Sequence, residues 1–130
     1  MSEDIKREEM VESGQIKIAD EVVGIIAGLA ATDVKGVAGM SGGIAGGIAE
    51  ILGRKNLSKG VKVQVGESDA AIDLYIIVEY GAKIPDVSWK VQESVKDAVE
   101  TMTGLNVLEV NIHIQGVNIQ KEKEVDSKEE

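Results

Sequence analysis

The sequence predicts a two-layer α+β sandwich: a small antiparallel or mixed sheet with helices on one face. Three observations carry that expectation. Three segments alternate apolar and polar side chains with a period of two, the mark of strands covered on one side only. Two other segments place apolar residues at helical spacing. The chain has 130 residues, 43% of them hydrophobic, enough for one domain with a core of its own.

The first element is "GQIKIAD", where Ile16 and Ile18 fall on one face of a short strand. Asp20 then stands where a helix cap belongs, ahead of "EVVGIIAGLAATDV". Val22, Ile26 and Leu29 recur at helical spacing, and Val23, Ile25 and Ala30 widen the stripe. A helix apolar over so much of its girth is expected to be deeply buried. "KGVAGMSGG" ends it and has room for a brief strand around Val37.

"VKVQV" sets Val61, Val63 and Val65 against Lys62 and Gln64. "AIDLYIIVEYG" sets Ile72, Leu74, Ile76, Val78 and Tyr80 against Asp73, Tyr75, Ile77 and Glu79. The polar, glycine-bearing "GESDA" between them predicts a hairpin, so these strands pair antiparallel. "IPDVSWKVQESVKDAVETMTG" reads as a helix, with Pro85 in its first turn and Gly104 just past its end. Val87, Val91, Val95, Ala98, Val99 and Met102 draw its apolar face. The last strand alternates Leu108, Val110, Ile112 and Ile114 with Glu109, Asn111, His113 and Gln115.

Net charge is −9, and both ends contribute to it. Residues 1–13 carry five acids against two bases, and residues 120–130 carry five against three. Segments so charged and so poor in apolar residues bury too little surface to offset the entropy of ordering. They are expected to be mobile tails around a single domain at 14–119. Without cysteine there is neither disulfide nor thiolate chemistry. The start lacks a signal-peptide pattern, and "VVGIIAGLAA" is about half the ~20 residues a membrane-spanning helix needs. A soluble protein is expected.

"GMSGGIAGGIAEILGRKN", residues 39–56, holds six glycines. It is no Walker loop, because Gly53 is followed by Arg54, Lys55 and Asn56, and no glycine stands five residues before it. The dinucleotide pattern G-x-G-x-x-G is absent too. Gly43-Ile44-Ala45-Gly46 matches the G-x-x-G of an RNA clamp, and Arg54, Lys55, Lys59 and Lys62 cluster without an acid between them. These four form a candidate patch for RNA or another anionic surface, against which the acidic chain as a whole argues. The competing reading is a helix with Ile44, Ile48, Ile51 and Leu52 on one stripe. Gly43, Gly46 and Gly47 each weaken such a helix by about 0.8–1 kcal/mol relative to Ala. The segment is therefore expected to order only against an apolar surface. Gly43, Ile44, Gly46, Gly47, Ile48 and Leu52 are its candidate contact residues.

Catalytic parts are scarce. His113 is the only histidine and falls on the polar face of its strand; a metal site there would need carboxylates such as Glu109 beside it. Trp89 lies off the main helical stripe, either as a half-buried lid or as an exposed contact residue. Tyr75 and Ile77 put apolar bulk on a strand face with no predicted helix cover, which points to a contact surface. A binding or assembly module fits these features; an enzyme, a metal or a cofactor does not.

As a set, "GQIKIADEVVGIIAGLAATDVKGVAGMSGG", "EILGRKNLSKGVKVQV", "YIIVEYGAKIPDVSWKVQESVKDAVETMTGL" and "VLEVNIHIQGV" resemble the alkaline shock proteins of Gram-positive bacteria, the envelope stress response family. The resemblance runs in one register over almost all of residues 14–117. It implies a cytoplasmic protein without catalytic residues, self-associating and linked to alkaline and envelope stress. It also implies recruitment to the inner face of the cell membrane by a small membrane-anchoring partner.

Overall fold

The computed structural model describes residues 14–42 and 58–119. They form α1 (Asp20–Thr32), β1 (Val37–Met40), β2 (Val61–Val65), β3 (Asp69–Glu79), α2 (Ile84–Thr103) and β4 (Asn106–Asn118). The α+β class read from the sequence holds, and the sheet is of the mixed kind. β3 is its spine: β1 and β2 pair with it antiparallel, β4 parallel. Because β4 runs along one edge of β3 from end to end, β1 and β2 share the other edge in line. Met40 stands opposite Ile76, and Val61 opposite Leu74.

Tyr75 bridges the gap between those two strands. Its carbonyl accepts from the Ser41 N–H at 2.7 Å, and its own N–H donates to the Gly60 carbonyl at 2.8 Å. The chain thus leaves the sheet edge after Ser41 and rejoins it at Gly60, one residue of β3 away.

The core is aliphatic, as a chain without Phe requires. Ile72, Leu74, Ile76 and Val78 of β3 are fully buried beneath Val23 and Ala27 of α1 and Val91, Val95 and Val99 of α2. The Ser94 hydroxyl donates to the Ala30 carbonyl and ties one helix to the other. The β2–β3 hairpin closes as predicted, the Gly66 N–H donating to the Asp69 carbonyl at 2.7 Å. Pro85 lies in the first turn of α2, and Gly104 ends it in the left-handed conformation that favours glycine.

Several expectations are corrected. "GQIKIAD" makes no strand: Ile16 is 84% exposed, and only Ile18 packs against the core. Two alternating isoleucines are too short a pattern to set a ladder register. Ala19, not Asp20, is the N-cap of α1, and no side chain caps it; Asp20 and Glu21 instead lie in the first turn, where the helix dipole favours acids. Val22 and Leu29 face solvent, while Val23, Ile26, Ala27 and Ala31 are buried. A helix with apolar residues all round does not announce its inner face. Here the small residues decide it, because Gly24 lies close against Ser58, Val61 and Val63. Met102 and Tyr80 are exposed because they fall at or past the ends of their elements. Leu108 is exposed because the β3–β4 register slips there, which turns Val107 into the core in its place.

Candidate functional site

Both helices of the described residues cover one face of the sheet, and among those residues the opposite face carries no helix. β3 presents Ala71, Asp73, Tyr75 and Ile77 there, all half-buried by their neighbours alone. The parallel pairing of β4 sets His113 beside Tyr75 and Gly116 beside Ile77. Gly116 lets the Ile77 side chain lie across the neighbouring strand; a Cβ at position 116 would fall 3.1 Å from Ile77 Cδ1.

At the centre of this face the rings of Tyr75 and His113 stack, with centroids 4.3 Å apart and planes 11° from parallel. His113 Nε2 lies 3.1 Å from Asp73 Oδ1, with the carboxylate accepting. From the other side, Lys62 Nζ sits 5.5 Å from the Tyr75 ring centroid. Four side chains from three strands thus form one connected patch. Its rim is charged and its middle is aromatic and aliphatic.

No side-chain hydrogen bond among the described residues joins a serine to His113. Among the described residues no three His, Cys, Asp or Glu side chains come close enough to share a metal ion. An open cleft of about 540 Å³ lies between the α1–β1 turn and the start of α2. Its lining mixes the cations Lys35, Lys83 and Lys90 with the acids Glu79 and Asp86. None of the helices among the described residues is long and apolar enough to cross a membrane.

The predicted site residues divide sharply. Gly43, Ile44, Gly46, Gly47, Ile48 and Leu52 lie outside the described residues, as do Arg54, Lys55 and the two charged ends 1–13 and 120–130. Of the anion patch, Lys59 is exposed at the turn into β2, and Lys62 is engaged over Tyr75. Trp89 is 64% exposed and so is not a half-buried lid. Tyr75 and Ile77 lie on the bare face where the alternation of β3 places them. What the sequence does not reveal is the Tyr75–His113–Asp73 grouping. It depends on β4 lying parallel beside β3, and only the polar-face positions of all three residues hint at it.

A family model describing a cell envelope-related function matches residues 8–119 of this chain. YqhY of Bacillus subtilis is 43% identical over 118 residues, covering 90% of this chain and 87% of that protein. YloU of the same organism is 45% identical over 108 residues, covering 82% and 90%. A stress response regulator gls24 homolog of Streptococcus pyogenes is 31% identical over 114 residues, covering 87% and 64%. The family model spans most of the chain and these relatives match along nearly its whole length, and the chain belongs to the alkaline shock protein 23 family.

Proposed function

We propose that this chain is a non-catalytic envelope-homeostasis module that works by protein–protein contact and self-association at the cytoplasmic face of the membrane. A small membrane-anchoring protein recruits it there. The observation that carries this reading is the bare sheet face, on which Tyr75 and Ile77 keep apolar surface within reach of a partner while Asp73, Lys62 and His113 frame it. The family's envelope-related description and a stress response regulator among its relatives support the setting.

The test is fractionation of cells expressing the full chain. The unaltered chain is expected in the membrane fraction, and Ile77→Asp is expected to release it into the soluble fraction without unfolding it. Equal distribution of the two, with both folded, would refute this role for the face.

A further inference from the structure

We propose that two copies of this chain associate through the free edge of β4, which pairs antiparallel with itself about a two-fold axis at Ile112. The inference deepens the self-association reading above and rests on it.

Two side chains of α2 cover the start of that edge. The Val107 N–H donates to Glu100 Oε2 at 2.9 Å, and Gln92 Nε2 donates to the Val110 carbonyl at 3.0 Å. The Val110 carbonyl therefore points away from β3. Strand groups alternate with a period of two, so Ile112 and Ile114 also turn their backbone N–H and C=O outward. Among the described residues nothing pairs with those groups. Register slips at Leu108 and Gln115 bound the regular stretch between them.

That stretch is suited to a second copy of itself. An axis at Ile112 sets Ile112 opposite Ile112 and Val110 opposite Ile114, the Val110 carbonyl taking the facing Ile114 N–H on the lone pair that Gln92 leaves open. On the bare face it sets Asn111 against His113 and Glu109 against Gln115. No like charges meet, although the chain carries −9 overall. Shifting the axis to Asn111 would leave Ile114 facing the slip at Leu108. On the helix face, Ile112 and Ile114 are only half-buried. Trp89 stands one turn from Gln92 on the same flank of α2 and is exposed. A neighbouring strand would cover both isoleucines beneath Trp89, placing an aromatic anchor at the centre of a low-charge interface.

The chain has no cysteine, so a single introduced thiol reports this contact alone. In a hydrogen-bonded antiparallel pair the facing Cα atoms are about 5.5 Å apart, within disulfide reach. Under mild oxidation, purified full-length Ile112→Cys is expected to form a covalent dimer, while Gln64→Cys on β2 stays uncrosslinked. Trp89→Ala, an exposed change that leaves the core intact, is expected to weaken dimerisation of the otherwise unaltered chain by about ten-fold or more in sedimentation equilibrium. A chain that stays monomeric at every concentration overturns the proposal, as does β4 pairing only with another protein's strand. Oligomers that form without Ile112→Cys crosslinking, and that ignore Trp89→Ala, overturn the edge while leaving self-association standing. Loss of membrane recruitment with edge pairing intact would instead refute the reading of the bare face.

Discussion

Gly60 lies so close beneath Ser41 that a methyl group at position 60 would fall 2.6 Å from the Ser41 carbonyl oxygen. Both residues bond to the backbone of Tyr75, and Gly60 adopts a φ of +80°. Gly60→Ala therefore meets two penalties, a left-handed backbone and a collision with main chain that cannot swing away. It is expected to lower the unfolding free energy by about 2–4 kcal/mol. Gly42→Ala, also left-handed but in open space, should lose only about 1 kcal/mol. Urea denaturation of both variants decides it, and equal losses would contradict the collision.

The orientation of α1 can be checked with adjacent valines. Val23 is fully buried and Val22 is exposed. Val23→Ala is expected to destabilise by about 1–3 kcal/mol, and Val22→Ala to stay within about 0.5 kcal/mol of the unaltered chain. The opposite ranking in thermal or chemical unfolding would mean that the outer stripe is the inner one.

The His113 patch is partly exposed, so its stability contribution is small. His113→Ala and Asp73→Ala are each expected to destabilise by about 1 kcal/mol or less. A double-mutant cycle should return a coupling of the same modest size. A coupling of several kcal/mol would be incompatible with an exposed pair.

Trp89 is the chain's single tryptophan, so its fluorescence is unambiguous. Dilute protein should show red-shifted emission readily quenched by iodide, as 64% exposure requires. Concentration should blue-shift the emission and slow the quenching as β4 edges pair. Emission already blue and protected at the lowest concentrations, in a chain shown by sedimentation to be monomeric, would place the ring in the core instead.

Much of the fold was legible because its signals are local. The alternation of β3, the Pro85 and Gly104 boundaries of α2 and the "GESDA" turn each reside within a few neighbouring residues. What escaped depends on distant ones. Which side of α1 faces inward follows from Gly24 meeting Ser58, Val61 and Val63. The exposure of Leu108 follows from a register slip against Ala70 and Ala71. The Tyr75–His113 stack needs the order and direction of strands, which no periodicity encodes. Tyr75 and Ile77 were found because apolar bulk on a polar face is itself a local anomaly.

The in-line arrangement of β1 and β2 makes the segment between Ser41 and Gly60 a replaceable cassette. Its two anchor points are fixed on a single residue of β3, Tyr75, so the sheet sees only where the segment departs and returns. Doubling the length of such an excursion adds only about 0.6 kcal/mol of closure entropy. Relatives are thus free to exchange its contents on an unchanged frame. Swapping this stretch between two members should move the melting temperature by no more than a few degrees.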